Sequence, residues 1–356
     1  PISSLDEITG NGSYYLKNEV ELPYAWKCEY KVNLCLNGYG ITYVGGDGFF
    51  GNLIVENDQT FALTDCNGSG AGHGVVTQKS GRGSGVFING GAKFYLYGGD
   101  ITGNTATSNG GGVFISMSGD KSSDFYMYGG SITNNKAVGS DSYDVAEGGG
   151  VYISNVGGYS CSFYMYGGTI SGNATVTDGH NGYGGAVNVD GVFKMYGGEI
   201  IGNTADYSGG GVFVDGGHFY MYGGEISGNN AYYLGGGVSI YRNGNCTVGN
   251  DAKIIDNVVG GAKAVGAEKY TGGTASNVSP LSGVIIKIDD LTQDARIGIT
   301  TELKPTAGHD VQFAEGAFDA VDYTKIFTPD GGKAYRVTQT GGSLYLSLHN
   351  HPWQDT

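Results

Sequence analysis

The chain has 356 residues, a formal net charge of −15, and 69 glycines against 6 prolines. An acidic excess of this size, with no cluster of Lys and Arg, argues against nucleic acid as a partner, because its phosphates would be repelled. The glycines follow no Gly-X-Y period and stand among many Val, Ile, Phe and Tyr, which excludes collagen and a disordered linker.

No apolar run approaches the roughly 18 residues of a membrane span. The chain begins at Pro1 without a charged leader and apolar h-region, so it is expected to be a piece of a longer protein. Residues 1–31 read as an N-terminal cap, with "SLDEI" from Ser4 as a short helix covering the apolar end of the first coil. Of the cysteines, Cys28, Cys35, Cys66, Cys161 and Cys246, none forms a CxxC pair, which argues against zinc and for small buried residues. Cys28 and Cys35 are near enough in sequence for a local bridge.

From Val32 to Asn257 the chain is written in repeated words. One word is "FYLYGGDITGN" from Phe94, and it returns as "FYMYGGSITNN" from Phe125, "FYMYGGTISGN" from Phe163, "FKMYGGEIIGN" from Phe193 and "FYMYGGEISGN" from Phe219. The spacings are 31, 38, 30 and 26 residues. A second word alternates with it, "GSGVFI" from Gly83, then "GGGVFI", "GGGVYI", "GGAVNV", "GGGVFV" and "GGGVSI" from Gly110, Gly148, Gly184, Gly209 and Gly235. Apolar residues recur with period two and no 3.6-residue stripe, which means strands; repeats this short mean stacked coils about 4.8 Å apart. Three short strands per coil are expected. The added residues fall only after the corner Asn or after the GGGV strand, as loops leaving a solenoid at fixed corners would.

Asn104, Asn135, Asn173, Asn203, Asn229 and Asn257 close each word. Asn tolerates the left-handed backbone of a tight bend, and its amide can bond the same amide in the neighbouring coils, so a stacked Asn column is expected.

The words "GGGVxI" and "YGGxIxGN", with "VNLCLNGYGITY" and "NLIVENDQTFALTDC" before them, resemble the right-handed parallel β-helix repeats of surface and secreted proteins of gut Firmicutes, within the pectate-lyase-like architecture. The resemblance implies an all-β solenoid exported to the cell surface or beyond. That architecture serves polysaccharide lyases, glycoside hydrolases, tailspikes and adhesins, and so leaves activity open. Residues 258–348 read as irregular closing coils, or a small β domain, and 349–356 as the start of a linker.

If Phe219 and Met221 point inward, Tyr220 and Tyr222 point outward, and Lys194 at an equivalent position marks the column as solvated. There are then two outward columns: Tyr95, Tyr126, Tyr164 and Tyr220 with Lys194, and Tyr97, Tyr128, Tyr166, Tyr196 and Tyr222. Such a ladder stabilises coil pairs by stacking. It also suits stacking on pyranose rings, and an aromatic strip of this length suits a host or cell-surface protein partner. Glycoside hydrolysis needs two carboxyl groups about 5–9.5 Å apart, which adjacent coils supply by repeating an acid. Glu199 with Glu225, and Asp190 with Asp215, are such neighbours. The long corner loops carry Asp141, Asp144 and Glu147, an oxygen-ligand set open to calcium, and Asp178, His180 and Tyr183, open to ligand binding.

The expectation is a non-catalytic, glycan-binding or adhesive module with no required cofactor, whose partner is a polysaccharide or glycoconjugate. The alternatives are a lyase or glycoside hydrolase acting through the acid pairs, and an inert stalk.

Overall fold

The computed structural model describes residues 1–46, 51–66, 72–139, 145–156, 159–177, 181–241, 243–261, 272–318 and 321–349. Among the described residues it is all-β apart from two single-turn 3-10 helices, and most of its strands pair in parallel with their equivalents one repeat away. The repeat around Phe125 contributes Asp124–Met127, Ser131–Thr133, Lys136–Val138 and Val151–Ile153, each to its own ladder. Among the described residues four longer ladders therefore run from repeat to repeat, and a short fifth pairs Ala146–Glu147 with Gly182–Tyr183. The ladder of Lys136–Val138 goes beyond the three-strand expectation; its strands Thr105–Thr107, Lys136–Val138, Ala174–Val176, Thr204–Ala205 and Asn230–Ala231 follow the corner Asn, outside the repeated words.

Register follows the repeated words residue for residue. Phe125, Phe163, Phe193 and Phe219 pair in succession, as do Ile132, Ile170, Ile200 and Ile226, and Val151, Val187, Val212 and Val238. All of these side chains are fully buried, and the phenylalanine rings stack at 4.6, 4.8 and 5.0 Å between centroids. Burying each Phe removes its apolar surface from water, a gain of roughly 1.5–3 kcal/mol per side chain. Because the side-chain period is two, sliding a strand by one residue would expose its whole inward set, which pins the register.

The Gly-Gly pair after each tyrosine is a backbone requirement. A Cβ on Gly197 would lie 2.7 Å from the Tyr166 carbonyl oxygen of the neighbouring coil, and Gly198 has φ of +88°. The first glycine is set by close approach and the second by left-handed backbone.

The asparagine column forms as expected and extends further. Asn173 donates both its main-chain N–H (2.9 Å) and its side-chain Nδ2 (3.0 Å) to Asn203 Oδ1, and the same pair of bonds links Asn104 to Asn135, Asn135 to Asn173, Asn203 to Asn229, and Asn229 to Asn257. Asn52 precedes this series, donating Nδ2 to Asn104 Oδ1 at 3.3 Å. Asn277 follows Asn257, and Asp330 follows Asn277, accepting its N–H at 2.8 Å and its Nδ2 at 2.7 Å. One expectation is corrected: the left-handed residue of each corner is the one before the column Asn, namely Gly103, Asn134, Gly172, Gly202, Gly228 and Asp256. The column asparagines are selected for their amides alone.

The ladders already begin at Gly12–Tyr15, Val20–Leu22 and Trp26–Cys28, which pair with the following coil, so pairing reaches into the segment assigned to the cap. Leu5–Glu7 forms the short helix there, a 3-10 turn whose Ser4 hydroxyl accepts the Asp6 N–H at 3.2 Å. At the other end Ile286–Leu291, Arg296–Ile299, Val311–Glu315 and Phe327–Pro329 continue the parallel pairing, and the antiparallel hairpin Tyr335–Thr340 with Ser343–Leu348 closes it. Cys35 bonds to Cys66, with Cα atoms 5.9 Å apart, and not to Cys28. Stacking brings residues about one repeat apart into contact, so a partner 31 residues away is nearer in space than one 7 away. Cys28, Cys161 and Cys246 are free and buried.

Candidate functional site

Two surfaces stand out, on different ladders. On the first, the "FYMY" strands place Phe and Met inward and both tyrosines outward. Tyr95 stacks on Tyr126 at 4.8 Å and Tyr126 on Tyr164 at 4.9 Å, with ring planes within 10° of parallel. Lys194 then takes the place of a ring, its Nζ 6.0 Å from the Tyr164 centroid and 5.3 Å from that of Tyr220. A cation over an aromatic face is attracted by the ring quadrupole, so the substitution preserves the column's cohesion. The second column, Tyr97, Tyr128, Tyr166 and Tyr196, stacks at 5.1, 4.9 and 5.0 Å and continues to Tyr222 at 5.7 Å. The first column is half-buried; Tyr97, Tyr128, Tyr166 and Tyr196 are 51%, 45%, 43% and 41% exposed. Burial raises the phenol pKa of Tyr95, Tyr126 and Tyr166, with neighbouring phenols acting in the same direction, so these hydroxyls stay protonated and can both donate and accept. Tyr126 donates to Asp124 Oδ2 at 3.2 Å.

The second surface is a concavity of about 370 Å³ on the ladder of GGGV words. The outward position of that ladder runs Phe87, Phe114, Tyr152, Asn188, Phe213, Ser239, Ser279. Phe87 and Phe114 meet edge to face at 5.2 Å and Phe114 and Tyr152 are tilted at 5.3 Å, whereas beyond Phe213 the column narrows to serines, and the surface sinks there. Glu147, Asp215 and Glu302 line it together with Tyr183, Tyr207, Tyr233 and Tyr241. Tyr183 packs on Phe213 at 4.7 Å and on Tyr207 at 5.5 Å, and Tyr207 stacks on Tyr233 at 5.3 Å.

The acids here are electrostatically unusual. Burial, then the charges of Asp190 and Asp215, push Glu147 up to about 7, against which the Asn188 Nδ2 donating to Glu147 Oε1 at 3.3 Å acts weakly. Asp190 is pushed up to about 6, chiefly by burial, although the Tyr152 hydroxyl donates to its Oδ2 at 2.7 Å. Burial also raises Asp215. The buried acceptors Asn188 Oδ1 and Asp190 Oδ1 have no hydrogen-bond donor among the described residues.

No known family's profile matches the chain, and no curated protein or solved structure is significantly similar to it.

Of the acids singled out in the sequence, Asp190 and Asp215 thus converge, and Glu147 joins them. Glu199 and Glu225 are register neighbours on another ladder, Glu199 exposed and Glu225 half-buried beside Lys253, and neither lines the concavity. Asp141, Asp144, Asp178 and His180 lie outside the described residues. Among the described residues no three His, Cys, Asp or Glu are grouped so as to hold a metal ion. The residues that sequence reasoning missed are Asn188, Phe213, Tyr207, Tyr233, Tyr241 and Glu302. For Asn188 and Phe213 the available signal was the variable second residue after GGG or GGA, where Asn and Ser interrupt a run of aromatic side chains; Tyr207, Tyr233, Tyr241 and Glu302 carry no such mark.

Proposed function

We propose that the chain is a glycan-binding or adhesive module, built on a right-handed parallel β-helix of the pectate-lyase-like kind and working outside the cell or at its surface. The observation that carries the reading is the Tyr97–Tyr128–Tyr166–Tyr196 column, a row of near-parallel exposed rings on a backbone held in register by the ladder. Rings fixed by their neighbours lose little side-chain entropy when a flat pyranose stacks on them, so contact area converts to affinity with a small ordering penalty. The protonated hydroxyls supply donors and acceptors for the sugar's own hydroxyls. The partner is a polysaccharide or glycoconjugate long enough to lie along several rungs.

The test is a glycan array followed by titration of the best hit. Tyr166→Ala combined with Tyr196→Ala is expected to weaken binding at least tenfold while leaving the circular dichroism spectrum unchanged. Unchanged affinity in a folded double variant would remove the tyrosine face from the proposal, and silence across the array would favour a stalk.

A further inference from the structure

From the concavity on the GGGV ladder we infer a second binding site, independent of the tyrosine face, that takes a small organic cation: an alkyl compound carrying a primary or quaternary ammonium group. The inference rests on the joint chemistry of its walls. Glu147, Asp215 and Glu302 line the space, and no Lys, Arg or His does so among the described residues. Asp190, which accepts the Tyr152 hydroxyl on the same ladder, does not line the space but adds a further negative charge near Glu147. None of Glu147, Asp190 and Asp215 has an ion pair among the described residues, and charges gathered this way repel one another until a cation joins them.

The aromatic half of the lining decides which cation. Tyr183, Tyr207, Phe213, Tyr233 and Tyr241 present ring surface to the same space, which an inorganic ion would not use but an ammonium with an alkyl skeleton would, through cation–π attraction and burial of its methylenes. The acids are also not grouped as metal ligands among the described residues. A neutral sugar would pack on the rings and leave the carboxylates uncompensated. The ionised carboxylates of Glu147, Asp215 and Glu302 accept hydrogen bonds and donate none, and an ammonium brings the N–H groups and positive charge that match them.

The experiment is calorimetric titration of the 356-residue chain at pH 8 with putrescine and with tetramethylammonium, using 1,4-butanediol as the uncharged counterpart of putrescine. Saturable binding of at least one cation is expected, with the diol at least tenfold weaker. Asp215→Asn and Tyr183→Ala are each expected to weaken cation binding at least tenfold, and Glu147→Gln provides a second acid variant should either fail to fold. The Tyr166→Ala, Tyr196→Ala double variant is expected to bind the cation like the parent, which separates this site's failure from that of the glycan face. The inference is overturned if neither cation binds at millimolar concentration, if the diol binds equally well, or if folded Asp215→Asn binds like the parent. Reducing-end release from a polysaccharide that Asp215→Asn abolishes would also overturn it and assign the acids to hydrolysis.

Discussion

At the scale of the residue, Glu147 is the side chain whose environment departs furthest from water among the acids of the concavity. Its pKa is raised from 4.5 to about 7, so the folded protein holds a proton there that the unfolded chain has released. Faced by Asp190, Asp215, Tyr152, Tyr183 and Asn188, it contributes no penalty below about pH 4.5 and a growing one as pH rises towards 7. After allowance for partial exposure the effect is roughly 2 kcal/mol. Urea unfolding is therefore expected to show stability falling between about pH 5 and pH 8, with Glu147→Gln flattening that decline and raising stability at pH 8. An unchanged slope in the variant would show that Glu147 is solvated. Asp190, at about 6, acts in the same direction over a lower window. The tyrosines carry the opposite lesson: they were legible as outward because Lys194 shares their column, and a lysine without a carboxylate partner is not left in a core.

At the scale of the element, the ladder of asparagine amides connects sequence to stability most directly. Removing the Asn203 side chain leaves the Asn173 N–H and Nδ2 without their shared acceptor, and also removes one of the two donors to Asn229 Oδ1, the Asn203 N–H remaining. With each buried unsatisfied group costing about 1–3 kcal/mol, Asn203→Ala is expected to destabilise by about 3 kcal/mol or more in urea titration. A loss under about 1 kcal/mol would mean that water replaces the amide. This column was readable because its residue recurs in every word, as were the Phe, Ile and Val stacks. The concavity was not, because Glu147, Tyr207 and Tyr233 come from segments between the words, where no repetition marks them, and only stacking brings them beside Asp215. The ladder of Lys136–Val138 escaped for a related reason, since its strands of two or three residues lie just past the corner Asn, between the words, where no repetition marks them. Cys35 and Cys66 are joined by the coil's circumference, a distance that sequence proximity misrepresents.

At the scale of the whole molecule, the strands of each repeat pair in parallel with those of the repeats before and after, so stability is shared from one repeat to the next. Native-state hydrogen exchange is expected to be slowest for the amides of Asn135, Asn173, Asn203 and Asn229, with protection declining towards Gly12–Leu22 at one end and the Ser343–Leu348 hairpin at the other. Uniform protection would indicate a single cooperative unit. The buried amide column adds a property that the parallel ladders lack. Every rung gives its hydrogens to the next rung and takes them from the one before, so the column has a sense, like a one-way chain. An amide can stand anywhere within it, having both hydrogens and an oxygen to share. A carboxylate has only oxygens and can stand only where giving stops, and there Asp330 is found, receiving from Asn277 and from the Thr300 hydroxyl. Coils can therefore be gained or lost anywhere upstream without rewriting the column, whereas growth past Asp330 would first require its replacement by an amide.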